Sequence, residues 1–222
     1  MVLLADDHPL YRAALRQAVD QALPGARLIE SADDASLRAE ALAHPEADLV
    51  LLDLLMSGNR SFATLMWLHS QFAGMAVLIV SASKNPEVMR RAMAFGAAGY
   101  VPKSAPLERL VEAIRAVVDC GQWFPPAALS PPSAAQMPHA RRHADLAARL
   151  ASLTPQQFRV LELLAQGKLN KQIAAELGIG KQTTKAHVSA ALFKLGARNR
   201  TQATLRFKEL EILETDQLTL EG

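Results

Sequence analysis

The first 120 residues alternate short apolar runs with segments in which apolar residues recur at helical spacing, and this alternation constrains the fold most strongly. Runs such as Leu49–Leu52 and Met75–Val80 have no polar face, which is typical of strands buried on both sides of a parallel sheet. The helices between such strands cover the two faces of the sheet. The sequence therefore predicts an α/β fold with a five-stranded parallel sheet, in which ligands bind beyond the carboxyl ends of the strands.

Five strands and five helices follow from this pattern, and together they define one domain at residues 1–120. The strands are predicted at Val2–Leu4, Arg27–Glu30, Leu49–Leu52, Met75–Val80 and Gly99–Val101, and the helices at Pro9–Ala22, Ser36–Ala43, Phe62–Phe72, Pro86–Phe95 and Pro106–Cys120.

A proline-rich segment ends the alternation. Four prolines fall within 121–137, and Pro138 follows them. Proline at this density does not continue a helix or a central strand, so an extended, semi-rigid linker is predicted at 121–145. The remainder, 146–222, is predicted to be a second, small all-helical domain, because it contains no strand-like run.

The second domain has the helix-capping and turn residues of a helix-turn-helix. Thr154 is a natural N-cap and Pro155 a natural first helical residue, and Gly167 is placed to end that helix. A glycine-containing turn between two short helices is the mark of a helix-turn-helix. The further helices are predicted at Asn170–Leu177, Lys181–Leu195 and from Thr201 to Phe207.

Charge is unevenly distributed between the two halves. Residues 1–140 hold 11 Lys and Arg against 14 Asp and Glu, a net charge of −3, whereas residues 141–208 hold 13 against 3, a net charge of +10. This asymmetry indicates that only the second half binds a polyanion. A single cysteine, Cys120, fits a reducing compartment. With no secretory signal and no membrane-spanning run, we expect a cytoplasmic protein that does not contact the membrane.

Polar residues follow the predicted strands at one edge of the sheet. Asp6 and Asp7 follow the first strand, Asp53 the third, Ser81 the fourth and Lys103 the fifth. Clustered carboxylates resist ionisation together, and Mg²⁺, which prefers oxygen ligands, relieves that repulsion. A carboxylate beside such an ion is a competent phosphoryl acceptor, and a lysine and a hydroxyl stabilise the phosphoryl oxygens. Any one of these aspartates alone would more simply cap a helix.

Residues 1–120 resemble a CheY-like receiver domain. The resemblance rests on Ala5-Asp6-Asp7-His8-Pro9, Leu52-Asp53-Leu54, Val80-Ser81-Ala82 and Gly99-Tyr100-Val101-Pro102-Lys103. It implies that Asp53 is the phosphorylation site. It also implies that Asp7, Asp53 and the backbone carbonyl of Leu55 ligate Mg²⁺ directly, with Asp6 acting through water.

The same resemblance assigns roles around the phosphoryl group. Ser81 and Lys103 would hold its oxygens, and Tyr100 would occupy the aromatic switch position, moving inward when Ser81 shifts; a half-buried packing role for Tyr100 is equally consistent with the sequence. Receivers usually follow the acceptor with Met-Pro, whereas Met56 is followed here by Ser57-Gly58. That loop is expected to be more flexible, so the kinetics of phosphorylation or the metal affinity would be unusual.

Residues 152–207 resemble a LuxR-type helix-turn-helix, and the two halves together are similar to response regulators of the NarL/FixJ class. Matching runs include Leu153-Thr154-Pro155, Asn170-Lys171-Gln172-Ile173-Ala174, Lys185-Ala186-His187 and Asn199-Arg200-Thr201-Gln202-Ala203. Departures are mild, with Gln157, Gly180 and Thr184 replacing the usual glutamate, serine and valine.

The third helix of this unit should enter the major groove of double-stranded DNA. Lys185 is suited to guanine acceptors or phosphates, Gln182 to adenine or a phosphate, and Ala186 to a thymine methyl group. Other basic residues of the domain are expected to contact phosphates. His187 contacts the DNA backbone by resemblance, or is otherwise a surface histidine. The predicted DNA-binding residues are Lys171, Lys181, Gln182, Lys185, Ala186, His187, Ser189, Lys194 and Arg200.

The sequence therefore predicts a non-enzymatic response regulator of transcription. A sensor histidine kinase would phosphorylate Asp53, and phosphorylation would release a receiver that covers the recognition helix and favour a homodimer on paired half-sites. One alternative stays open, a phosphorylation-independent LuxR-type regulator whose receiver serves only for dimerisation. An aspartate-nucleophile phosphatase of the haloacid-dehalogenase type is rejected, because Leu55 stands where its second aspartate is required.

Overall fold

A computed structural model describes residues 1–56, 59–60 and 62–211, with the backbone alone for 59–60. The first part contains a five-stranded parallel sheet with strands β1 (Val2–Ala5), β2 (Leu28–Ser31), β3 (Leu49–Leu52), β6 (Ala76–Ser81) and β7 (Gly99–Pro102). Their order in the sheet is β2-β1-β3-β6-β7. Two further strands, β4 (Leu55–Met56) and β5 (Asn59–Arg60), pair separately as a short antiparallel hairpin.

Five helices cover the two faces of the sheet. They are α1 (Pro9–Ala22), α2 (Asp34–Ala43), α3 (Ala63–Gln71), α4 (Pro86–Ala94) and α5 (Leu107–Val118). Side chains alternate along each strand, so β1 sends Val2 and Leu4 to a core with α1 and α5, and Leu3 and Ala5 to a core with the other three helices. The predicted α/β fold with a parallel sheet is thereby confirmed.

Differences between predicted and observed element boundaries are small and have local causes. Helix α2 begins two residues earlier than predicted because the Asp33 carboxylate caps it, accepting from the Ser36 amide at 2.7 Å. Helix α5 ends at Val118, two residues earlier than predicted, and Cys120 beyond it adopts a left-handed φ of 60°.

The proline-rich segment is less extended than its composition suggests. A short helix, α6 (Pro126–Leu129), lies within it, and a 15-residue helix, α7 (Met137–Ala151), begins before the predicted linker ends. Pro138 falls in the first turn of α7, where the missing amide hydrogen costs no helical hydrogen bond. The division into domains at 120 and 145 remains a prediction, but α7 continues across the second of these positions.

The second part is a compact set of helices, α8 (Pro155–Ala165), α9 (Asn170–Leu177), α10 (Lys181–Leu195) and α11 (Arg200–Lys208). Thr154 caps α8 as predicted, because its hydroxyl oxygen accepts from the Gln157 amide. In return, the Thr154 amide donates to the side-chain oxygen of Gln157 at 3.0 Å. Glutamine thus completes the reciprocal cap in place of the usual glutamate.

The two parts dock through α3 and α4 of the first and α7 and α8 of the second. Phe62 and Phe95 of the first part belong to the same buried hydrophobic cluster as Leu150 and Phe158 of the second part. The cluster crosses the boundary between the parts, so burial of apolar surface holds them together.

Candidate functional site

The carboxyl ends of β1 and β3 bring three carboxylates together. Asp6 and Asp7 follow β1, and Asp53 follows β3, its neighbour in the sheet. With His8 they form a group whose potential ligand atoms all lie within 4.8 Å of one another. Three of the four residues offer carboxylate oxygens, the donors that hard divalent cations prefer, so the residues present fit a metal ion.

Asp53 is almost completely buried, with 3% of its surface exposed. Its Oδ1 accepts from the Leu55 amide at 2.9 Å and its Oδ2 from Lys103 Nζ at 2.8 Å. Burial raises the pKa of the Asp53 carboxyl, and the hydrogen bond from Lys103 opposes that rise. The ammonium therefore stabilises the carboxylate form that a phosphoryl acceptor requires.

Lys103 connects Asp53 to the acid pair of Asp6 and Asp7. Its Nζ lies 2.6 Å from Oδ2 of Asp6, so one ammonium bridges carboxylates from two strands. Asp6 also accepts from the His8 amide at 2.8 Å, and Nδ1 of His8 lies 2.7 Å from Asp7. These contacts bring Asp6, Asp7, Asp53 and Lys103 into one cluster, as the sequence predicted.

Two residues of α1 that the sequence analysis did not select support this cluster. Lys103 Nζ lies 4.7 Å from the centroid of the Tyr11 ring, and burial, with the nearby charges of Asp6 and Asp53, raises the pKa of Tyr11 to about 12. Arg12 donates to the Asp6 backbone carbonyl at 2.7 Å. Their only sequence signal is their position in the first turn of the helix that follows the acid pair.

Ser81 and Tyr100 lie next to each other on the side of the sheet beyond Asp53. Both are fully buried, and the Tyr100 hydroxyl donates to the Ser83 carbonyl at 2.8 Å. Burial raises the pKa of Tyr100 to about 12, so its hydroxyl is protonated at physiological pH. The side chain is fully buried and not half-buried. Its hydrogen bond to Ser83 connects it to the loop that leads into α4.

Leu55 lies in the hairpin beyond the acceptor, where its amide contacts Asp53. Its predicted role as a carbonyl ligand remains a prediction. Ser57 and Gly58, the departure from the usual receiver loop, lie outside the described residues.

The outward face of α10 carries most of the predicted DNA-binding residues. Thr184, Ala191 and Leu195 face the core and are fully buried. The Thr184 hydroxyl donates to the Gly180 carbonyl at 3.1 Å, which satisfies the polar group in place of the usual valine. The exposed residues of the helix include Lys181, Gln182, Lys185, Ala186 and Ser189, and His187 is half-exposed.

Three of the predicted DNA-binding residues lie elsewhere. Lys171 is exposed at the start of α9. Lys194 donates to the Ser152 carbonyl at 2.6 Å and to Gln157 at 2.8 Å, and Arg200 donates to the Lys168 carbonyl at 2.9 Å. Lys194 and Arg200 therefore connect helices of the domain and are not placed beside the outward residues of α10.

The docked first domain does not bury the predicted base-reading residues. It contacts α7, α8 and the chain after α11, whereas Lys185, Ala186 and Ser189 are exposed. The expectation of a receiver that covers the recognition helix is therefore wrong for this arrangement. The physical reason is that the apolar surface available for docking lies on α7 and α8, away from the basic face of α10.

Polar contacts at the docked surface are concentrated at two points. Arg38 of α2 pairs with the buried Glu162 of α8 at 2.9 Å. Arg91 of α4, 6% exposed, donates to the backbone carbonyls of Glu209 and Glu211 at 2.6 and 3.0 Å. Sequence reasoning did not identify these contacts, because each joins residues more than 100 positions apart in the chain.

A buried carboxylate paired with a lysine at the edge of a doubly wound sheet, joined to a basic helix-turn-helix, defines a phosphorylation-controlled DNA-binding regulator. The family model "Response regulator receiver domain" matches residues 2–115, and the model "Bacterial regulatory proteins, luxR family" matches residues 151–207. The chain belongs to the response regulators with a LuxR-type DNA-binding domain and is a transcriptional regulator.

Relatives of known description span nearly the whole chain. The "Glycerol metabolism activator" of Pseudomonas putida is 36% identical, over 95% of this chain and 96% of its own. The "Nitrate/nitrite response regulator protein NarL" of Escherichia coli strain K12 is 32% identical, over 92% of this chain and 93% of its own. The similarity therefore extends over nearly the full length of this chain and of both relatives.

Solved structures support the fold. The RcsB response regulator of Salmonella typhimurium matches with a TM-score of 0.51 and 22% identity, over 92% of this chain and 96% of that one. RcsB in a complex with DNA matches with a TM-score of 0.52 and 21% identity, over 94% and 98%. Among the helices described for the present chain, none is long and apolar enough to cross a membrane.

Proposed function

We propose that Asp53 accepts a phosphoryl group from a sensor histidine kinase and that this modification controls how α10 binds DNA. The observation that carries the proposal is the position of the Asp53 carboxylate, buried at the end of β3 between the ammonium of Lys103 and the acid pair at the end of β1. A carboxylate held in this way is stabilised for nucleophilic attack.

The acid cluster fits Mg²⁺ as its resident ion. Asp7 and Asp53 would hold it directly, with the Leu55 carbonyl, and Asp6 would act through water. The ion would neutralise the charge that develops on the phosphoryl oxygens. The chain's own groups contribute beside it: Lys103 is placed to shift from the Asp53 carboxylate to a phosphoryl oxygen, and the Ser81 hydroxyl lies at the adjacent strand end to donate to another.

The requirement for a divalent cation gives a direct test. EDTA should abolish labelling of the protein by acetyl phosphate, measured by intact mass, and added Mg²⁺ should restore it. Asp7→Asn should raise the Mg²⁺ concentration for half-maximal labelling at least about tenfold, because it removes one charged ligand. Glu46→Gln, an exposed acid outside the cluster, is the matched control. Labelling that persists in EDTA would contradict the proposal.

A path from the acceptor to the docked domain runs through α4. Ser81 lies beside the phosphorylation site, Tyr100 bonds to the Ser83 carbonyl, and the loop from Ser83 leads into α4. Arg91 of α4 contacts the chain beyond α11. We infer that phosphorylation changes the position of α4 and with it the docking of the DNA-binding domain.

The exposed face of α10 is suited to the major groove. Gln182, Lys185, Ala186 and Ser189 share that face, and base-reading residues of a recognition helix lie toward its N-terminal half. Lys171 and Lys181 are placed for phosphates. Paired half-sites, a homodimer and a cytoplasmic location remain part of this proposal.

Lys185→Ala should weaken binding to a specific duplex by about 5- to 150-fold, because a lysine contact to guanine acceptors contributes about 1–3 kcal/mol of discrimination. Binding is measured by fluorescence anisotropy at physiological salt, against a duplex selected by the wild-type protein from a random pool. Lys84→Ala, an exposed lysine of the receiver, is the control. Unchanged affinity would remove Lys185 from the interface.

A further inference from the structure

One large apolar side chain stands on the outward face of α10. Phe193 is 86% exposed, although the inward face of the helix is completed by Thr184, Ala191 and Leu195, all fully buried. At 100° per residue, Phe193 points almost directly away from that core. The domain therefore gains no burial from this ring in the structure, and the exposed ring is available to a partner.

Phe193 continues the row of predicted base-reading residues. Lys185, Ser189 and Phe193 are spaced four residues apart, so they lie along one side of the helix. With a rise of 1.5 Å per residue, Phe193 lies about 12 Å along the axis from Lys185. The major groove is about 12 Å wide, so a helix that inserts its N-terminal half places Phe193 at the groove wall.

Charge favours DNA over a second copy as the occupant. Within 141–208 the net charge is +10, and α10 itself contains three lysines and no acid. Two such faces repel each other, whereas a polyanion is attracted to them. Ala186 and Ser189, the smaller residues on the same side, leave the ring free to approach the groove wall.

We propose that Phe193 is a further DNA-contacting residue, whose ring packs against deoxyribose and the 5-methyl group of a thymine at the edge of the half-site. Apolar side chains recognise thymine through this methyl group. The proposal rests on the proposed function, since it requires α10 to lie in the major groove. It adds a preference for thymine beyond the base pairs that Gln182 and Lys185 contact.

The test compares Phe193→Ala with the wild-type full chain on a duplex selected by the wild type from a random pool. The variant should bind about 5- to 20-fold more weakly at fixed salt, with an unchanged slope of log K against log salt, because no phosphate contact is lost. Lys185→Ala should reduce the affinity for this duplex both in the wild type and in the Phe193→Ala variant. Leu10→Ala, an equally exposed leucine of α1, is the control for loss of a surface apolar group.

Replacing each thymine of the duplex by deoxyuridine identifies the methyl group. One replacement should weaken binding of the wild type and leave Phe193→Ala unaffected. A loss in Phe193→Ala with no responsive thymine would overturn the sequence preference, and unchanged affinity would overturn the contact. A loss of DNA-free self-association in sedimentation, matching the loss in DNA binding, would assign the ring to a second copy instead. If the wild type selects no duplex and Lys185→Ala has no effect, the DNA-binding role of α10 itself fails.

Discussion

We expect Asp53→Asn to eliminate the phosphate-sized mass gain that acetyl phosphate and Mg²⁺ should produce in the wild-type protein. The amide has no anionic oxygen to attack phosphorus, and Asp53 is the buried carboxylate that Lys103 holds at the end of β3, beside the acid pair of Asp6 and Asp7. Intact mass spectrometry at neutral pH measures the result, with hydroxylamine lability of the wild-type product identifying an acyl phosphate.

Asp119→Asn is the matched control for this prediction, since Asp119 is an exposed carboxylate at the end of α5. It should label like the wild type. Persistent labelling of Asp53→Asn would remove Asp53 as the acceptor. No labelling of either protein, with folding confirmed by circular dichroism, would favour the alternative regulator that uses its receiver only for dimerisation.

The sheet edge was predictable because two local signals coincide there. Apolar runs predict buried strands, and in a parallel sheet the ends of those strands meet at one edge. Asp53 and Lys103 are therefore brought to the same edge although 50 residues separate them. Helix ends were also predictable where a local cap sets them, as Thr154 does for α8.

Features that depend on packing were not predictable in the same way. Helix α7 lies partly in a segment whose prolines suggested an extended chain, but those prolines precede the helix or occupy its first turn. Lys194 carries the charge expected of a phosphate-binding residue, and only the fold shows that Ser152 and Gln157 occupy its ammonium. Composition identifies a basic domain but does not assign each cation to a surface or to an internal bond.

The docking surface explains how one structure can combine an exposed recognition helix with a restrained domain. Apolar contacts of α3 and α4 with α7 and α8 supply the buried area. The Phe62 amide donates to the Leu210 carbonyl at 3.0 Å, and Leu210 is fully buried. The chain end that follows α11 is thus held by the receiver, so the proposed movement of α4 would change the constraint on α11 without uncovering α10.

Arg91→Ala should separate the two domains. The guanidinium lies 4.9 Å from the centroid of the Phe62 ring and donates to two carbonyls of the chain end, Glu209 and Glu211. Hydrogen bonds to charged groups contribute about 1.5–3 kcal/mol each, so losing both should weaken docking by about 3–6 kcal/mol. Small-angle X-ray scattering should show a larger radius of gyration, and a protease should cleave the segment at 121–136 faster.

Arg90→Ala is the matched control, because Arg90 lies on the same helix and its hydrogen bonds to the described residues Ala127 and Gln136 are long, at 3.4 Å. It should keep the wild-type radius of gyration. Arg91→Lys should give an intermediate radius of gyration, since lysine keeps the charge but lacks the planar fork of the guanidinium.

Binding of Arg91→Ala to a single half-site should stay close to that of the wild type, because the docked receiver already leaves Lys185 exposed. A large gain in half-site affinity would instead show that docking covers the recognition helix in solution, and an unchanged radius of gyration would show that the apolar contacts hold the domains without Arg91.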